Sequence, residues 1–135
     1  MKGKSFVDTN IVVYCYSETQ EDKKILAQRV SLNPDSVIST QVIQEFGNTM
    51  SRKFGQSWNS IQAAIQELTL NYQVYINTPV TITNACRITD KYKYSFYDSL
   101  IIASALEAGC DILYTEDMQH NQLIEDKLRI LNPFK

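Results

Sequence analysis

Glycine and proline are scarce in this 135-residue chain, with four Gly and three Pro, and the scarcity already disfavours several chemistries. The glycines stand at positions 3, 47, 55 and 109. They are too scattered for a G-x-G-x-x-G dinucleotide fingerprint, a G-x-x-x-x-G-K-[ST] phosphate loop or a G-x-S-x-G nucleophile elbow. Cysteine is also sparse: Cys15, Cys86 and Cys110 are odd in number, widely spaced and without C-x-x-C pairing, so zinc or redox use is disfavoured and small buried hydrophobes are expected. The single histidine, His120, excludes a His-rich zinc site and reads as a solvated loop residue. No apolar run reaches the roughly 18 to 20 residues that span a bilayer, and no basic-then-apolar leader opens the sequence, so no membrane association and a cytoplasmic location are expected. Basic charge is not in excess either. The net charge is -2 and the pI near 5.3, which does not announce a nucleic-acid binder from bulk electrostatics.

What is present is ordinary globular composition, 44% hydrophobic and 21% charged, at a length suited to one domain over residues 1–135. There is no repeat, low-complexity segment or linker. Ser5–Val7 reads as a short buried strand, and Ile11–Tyr14 as a helix packed on a sheet. Helical spacing recurs from Glu21 to Leu32, and Asn33-Pro34-Asp35 supplies turn chemistry. Ser36–Ser39 is a second strand, after which Ser39 or Thr40 caps a helix with Val42, Ile43, Phe46 and Met50 inward. Further helices start at Ser57 and Pro79, separated by a possible strand at Gln73–Ile76. Ser95 opens the most apolar helix, Leu100–Ala108, which stops at Gly109. Ile112–Thr115 and Leu128–Leu131 read as the remaining strands. Short apolar strands alternating with helices predict an α/β three-layer sandwich, its central parallel sheet of about four or five strands flanked by helices. In such sheets ligands gather outside the carboxyl ends of the strands.

Four carboxylates fall at positions of interest on that frame. Asp8 follows the first strand; taken alone it reads as a helix N-cap, although Asn10 could fill that role. Glu45 borders the apolar stripe of its helix, with Val42 three residues before and Thr49 four after, and is either a solvated edge or aimed at a cation. Asp98 has Ile101, Ile102 and Ala105 at i+3, i+4 and i+7, on the inward stripe, where a capping box with Ser95 is the bland reading. Asp117 lies two residues past a strand, in a loop with Thr115 and Glu116, and could cap a following turn. The conjunction weighs more than any one position, since two strand-end acids and two on inward helix faces can converge above one sheet edge. Oxygen ligands without thiol or imidazole suit Mg²⁺ or Mn²⁺, which hydrolyse phosphodiesters by activating water and offsetting charge. A bound cation also explains how an acidic protein could approach RNA. The eight tyrosines and Trp58 could stack bases, but aromatics at helical spacing are more often core.

The segments FVDTNIVVY at 6–14, ISTQVIQEFGN at 38–48, YSFYDSLIIASALEAGCDILYTEDMQ at 94–119 and the ending LRILNPF resemble PIN-domain proteins, and in particular the VapC-like toxins of bacterial and archaeal toxin–antitoxin pairs. The resemblance implies a Mg²⁺- or Mn²⁺-dependent endoribonuclease with Asp8, Glu45, Asp98 and Asp117 as its acidic pocket. It implies Asn10 and Thr115 as supporting polar groups, a homodimer, and a cognate antitoxin that reaches into or near the pocket. Two rivals stand beside it: a PIN nuclease acting outside any toxin pair, and a receiver-like or adaptor module that binds Mg²⁺ without hydrolysing RNA. The stretch between Lys53 and Thr78, least like a motif, is where substrate choice is expected to vary.

Overall fold

The first apolar run becomes the strand around which the sheet is laid down. The computed structural model describes residues 3–135. Strand β1 (Lys4–Val7) pairs in parallel with β2 (Ser36–Ser39) on one side and with β4 (Cys110–Tyr114) on the other. Beyond β2 lies β3 (Gln73–Tyr75), and beyond β4 lies β6 (Leu128–Leu131), both parallel to their neighbours. The last strand in spatial order, β5 (Leu123–Ile124), runs antiparallel to β6, giving the order β3-β2-β1-β4-β6-β5. The chain therefore builds outward through β2 and β3 and then returns to the other side of β1. The crevice between the carboxyl ends of β1 and β4 is the switch point of the sheet, and Asp8 and the loop Thr115–Asp117 both follow those ends.

Among the described residues six helices flank the sheet: α1 (Thr9–Cys15), α2 (Glu21–Ser31), α3 (Thr40–Arg52), α4 (Trp58–Asn71), α5 (Pro79–Tyr92) and α6 (Phe96–Glu107). Their starts follow local chemistry. Ser39, Ser57 and Ser95 each accept a backbone N–H of the first turn, from Val42, Ser60 and Asp98. Thr78 and Thr81 form a reciprocal capping box with Pro79 at the first helical position. Helix α6 is buried from Ser99 to Ala105, as its continuous apolar run requires, and Ile101, Ile102 and Ala105 join Phe6, Leu113 and Ile130 in the core. It ends at Ala108, followed by Gly109 in the left-handed region at φ 77°.

The expected parallel sheet of four or five strands is present as five mutually parallel strands, to which a sixth, antiparallel one is added among the described residues. Other expectations are corrected. The extra strand β5 is two residues long and joins β6 through Glu125 and Asp126, both at positive φ (53° and 55°), with Lys127 N–H bonded to Ile124 C=O. That geometry is a tight hairpin turn normally signalled by Asn-Gly or Asp-Gly, and Glu-Asp carries no such signal. Among the cysteines only Cys110 is buried, while Cys15 is half-buried and Cys86 is exposed on the outer side of α5, whose inward positions are Thr81, Ala85 and Ile88. His120 is half-buried rather than solvated, because its Nδ1 accepts the Asn132 backbone N–H at 2.9 Å. Trp58 and Tyr97 are exposed rather than core. On α2 only Ala27 is buried, and Ile25 stands in solvent.

Ile102 is fully buried at the centre of α6. Ile102→Ala is expected to lower the unfolding free energy by about 2 to 5 kcal/mol. Urea denaturation followed by circular dichroism measures this, with an unchanged denaturant slope showing that the fold itself is retained.

Candidate active site

Strand β1 hands directly into α1 at Asp8, and the local backbone fixes that side chain. Asp8 has extended φ and ψ, and it is the N-cap of α1, with Oδ1 accepting the Thr9 N–H at 2.7 Å. Asn10 does not cap; it lies one residue inside the helix, so its amide is free to cross to the β4 side. There Asn10 Nδ2 donates to Asp117 Oδ2 at 2.8 Å and its Oδ1 accepts the Glu116 N–H at 3.2 Å. Thr115, fully buried, donates its hydroxyl to Asp8 Oδ2 at 2.8 Å and accepts the Asp117 N–H at 3.2 Å. The two strand ends are thus tied together through side chains at the switch point.

Glu45 projects from α3 and is held from two sides. Thr9 Oγ1 donates to Oε1 at 2.6 Å, and Gln41 Nε2 donates to Oε2 at 3.1 Å. The same Gln41 amide donates to the Tyr97 carbonyl at 3.1 Å, which fastens α3 to the start of α6. Asp98, half-buried in the first turn of α6, has its backbone N–H bonded to Ser95 Oγ at 3.1 Å. Ser95 caps without forming the reciprocal box, and its side chain is also a hydrogen-bonding partner of the Asp98 carboxyl. All four acids, with Asn10, line a single cavity of about 440 Å³. Thr115 does not line it and acts through Asp8 and Asp117.

Crowding carboxylates in this way has an electrostatic cost. Burial pushes the Asp8 carboxyl up to about 7, against the hydrogen bonds from Thr115 and Thr9, and the charges of Glu45 and Asp98 push the same way. Asp98 is likewise raised by burial, with Ser95 opposing and Asp117 and Glu45 adding to the rise. Among the described residues no three acidic, imidazole or thiol side chains stand close enough to enclose an ion. The donor chemistry nonetheless fits a hard divalent cation. Every group is an oxygen donor, the acids repel one another without a counter-charge, and Mg²⁺ takes one or two carboxylates while keeping waters and binding substrate phosphate.

One supporting group escaped sequence reasoning. Glu116 accepts the Tyr14 hydroxyl at 2.6 Å and pairs with Lys23, whose ammonium also donates to the Tyr14 hydroxyl at 3.1 Å. Phe134 packs edge-on against Tyr14 at 5.2 Å. This clamp ties α1, α2 and the chain end to the loop that carries Asp117. Its only trace in the sequence was an acid beside another acid, which does not distinguish a structural Glu116 from a catalytic one.

With this geometry in hand, comparison with known proteins assigns the family. The PIN domain model matches residues 5–124. The chain belongs to the PIN domain family. PIN domains are typically metal-dependent nucleases. The VapC20 toxin of Mycobacterium tuberculosis, described as cleaving the sarcin–ricin loop, is similar at 21% identity and TM-score 0.67, over 84% of this chain and 90% of that one. A toxin–antitoxin complex from Klebsiella pneumoniae contains a chain similar at 19% identity and TM-score 0.69, over 96% of this PIN domain and 98% of that chain. VapBC2 of Rickettsia felis, bound to a promoter DNA fragment, contains another at 14% identity and TM-score 0.63, over 95% and 98%. No curated protein matches significantly by sequence. No helix of the described residues is long and apolar enough to cross a membrane.

The raised Asp8 carboxyl fixes the sign of a pH dependence. Between about 4 and about 7 the metal-free folded protein retains a proton that the unfolded chain releases, so stability falls as pH rises through that window. Glu125, held down to about 2 by Lys91, Tyr92 and Arg87, acts in the opposite sense, and its contribution is lost only in stronger acid. The metal-free protein is therefore expected to melt at a higher temperature at pH 5 than at pH 8. Asp8→Asn should flatten the difference, and Mn²⁺ should raise the melting temperature chiefly at pH 8. An unchanged slope in Asp8→Asn would assign the effect to other groups.

Proposed function

We propose that this PIN domain is a Mg²⁺- or Mn²⁺-dependent endoribonuclease that hydrolyses RNA phosphodiester bonds, and that it is the toxin of a toxin–antitoxin pair. The observation that carries the reading is the set of four carboxylates, drawn from β1, α3, α6 and the β4 loop, lining one cavity at the switch point of the sheet. Asp8, Asp98 and Asp117 would hold the cation, directly or through waters it keeps, with Glu45 as a further ligand or as the base that orients water. When bound, the cation would supply positive charge for the phosphate oxygens and acidity for the attacking water.

The chain's own residues do the positioning. Thr9 N–H and Thr115 Oγ1 each engage one oxygen of Asp8, so its carboxylate cannot rotate freely. Thr9 Oγ1 and Gln41 fix Glu45 in the same manner. Asn10 holds Asp117, the exposed member of the set, against the loop. Such partners orient metal ligands and set their basicity.

The toxin assignment and a small antitoxin protein draw support from solved neighbours crystallised in toxin–antitoxin complexes, and a homodimer is proposed beside them. Large apolar side chains left in solvent on α4, α5 and the segment between them, Leu70, Ile76, Val80 and Ile82, are consistent with protein surfaces that become covered.

Purified protein should cleave RNA when Mg²⁺ or Mn²⁺ is supplied and stop when the ion is chelated. Asp98→Asn should abolish cleavage, and Asn10→Ala should lower it about 10- to 100-fold. RNA cleavage that persists both in chelator and in Asp98→Asn would overturn the reading. Separately, producing the wild-type protein alone should arrest growth while Asp98→Asn does not; unaffected growth together with intact cleavage would place the nuclease outside a toxin pair.

A further inference from the structure

Among the described residues lining the acidic cavity, Lys53 is the only basic one. It sits on the same face of α3 as Glu45. Glu45, Asn48, Thr49 and Lys53 fall at i, i+3, i+4 and i+8, and all four line the cavity. From Glu45 to Lys53 the helix advances roughly 12 Å, so this face changes from acidic to neutral polar to basic along its length. Among the described residues Lys53 forms no ion pair. Its ammonium lies 5.6 Å from the centre of the Phe54 ring.

Phe54 is the second unexpected group. Its ring lines the same cavity, yet it remains 41% exposed. Its position is fixed by the way α3 ends: Gly55 adopts φ 63°, its N–H bonds to Ser51 C=O at 3.1 Å, and the Gln56 N–H bonds back to Met50 C=O at 3.0 Å. A cation after the last turn complements the helix dipole, which accounts for a basic residue there. It does not account for an aromatic residue left partly in solvent on the lining of a polar cavity.

We propose that Lys53 and Phe54 form a nucleotide subsite for single-stranded RNA, in which the base of a nucleotide flanking the scissile phosphate stacks on Phe54 and its phosphate pairs with Lys53. The proposal rests on the nuclease reading for which phosphate is cleaved, and adds how the neighbouring nucleotide is held. A phosphate drawn toward four carboxylates needs a separate positive contact, and Lys53 is the one on this cavity. Stacking requires an unpaired base, because in a duplex the base faces are covered by their neighbours. The subsite thus selects loops and single strands. It also places the start of substrate discrimination at the C-terminal end of α3.

The test uses full-length Asp98→Asn protein, a fluorescein-labelled single-stranded oligoribonucleotide of mixed sequence, and fluorescence anisotropy across a salt titration. Adding Phe54→Ala should weaken binding at least about fivefold, while Phe54→Tyr retains it. Adding Lys53→Gln should reduce the slope of log affinity against log salt by about 0.7. The same RNA annealed to its complement should bind with no dependence on Phe54. In the Asp98-containing protein, Phe54→Ala should raise KM for RNA cleavage more than it lowers kcat. Thermal melts establish that each variant is folded, which the exposure of both residues favours. Absence of RNA binding, equal binding by Phe54→Ala, or a Phe54→Leu variant that binds as tightly as Phe54→Tyr would overturn the subsite, and the first two would leave the patch to a protein partner. If Phe54 governs binding but the wild type cleaves no RNA with Mg²⁺ or Mn²⁺, the subsite stands and the nuclease reading falls. If the wild type cleaves RNA but neither substitution alters binding, the reverse holds.

Discussion

Asp8 is a carboxylate that folding removes from water, and much of the structure around it serves to keep it there. Taking an ion out of solvent costs several kcal/mol unless partners replace its hydration. Asp8 is 5% exposed and recovers part of that cost from the Thr9 N–H and the Thr115 hydroxyl. Those two donors come from opposite sides of the β1–β4 crevice, so satisfying Asp8 also fixes the separation of the strand ends. The remaining acids are then set relative to it, Glu45 through Thr9 and Asp117 through Asn10. An arrangement of like charges held by neutral donors leaves its negative charge available to a cation instead of neutralising it internally. Lys23 and Glu116, by contrast, neutralise each other.

The same crevice explains how much could be read from residue order. Strand-end acids are legible because a polar residue directly after an apolar run has few structural reasons to be there, and Asp8 and Asp117 both satisfied that condition. Asp98 was legible through helical spacing, since Ile101, Ile102 and Ala105 proved to be buried around it. The role of Asn10 was legible in part. Its residue type suits a cap, and only the position of the first helical hydrogen bond decides that Asp8 takes the cap while Asn10 crosses to the β4 loop. The Glu116 clamp and the His120 acceptor join residues 102 and 12 positions apart or involve backbone groups, and no local period encodes such pairings. The short antiparallel β5 was hidden for the opposite reason, because two residues cannot display alternation and its turn lacks glycine.

Net charge says little about how charge is distributed over the cavity, and the reason is spatial. A chain at -2 can still present phosphate-binding groups if acids and bases occupy different ends of one surface. On α3 they do: Glu45 lies at the buried end of the cavity face and Lys53 at the helix terminus. Arg87 and Lys91 are engaged with Glu125 on the α5 side and add nothing to that face. The composition average therefore cancels contributions that the fold keeps apart.

Holding the acids by neutral groups also determines which substitutions at the supporting positions are informative. Replacing Thr115 by Val would keep its shape but remove the donor to Asp8 Oδ2 and the acceptor for the Asp117 N–H together. Two carboxylates from different strands would lose orientation through one atom. A bulk electrostatic site would tolerate that change, since no charge is altered, whereas a site built on fixed oxygen directions would not. The hydrogen bonds at the switch point are thus what separates a geometrically defined set of acids from a diffuse acidic patch.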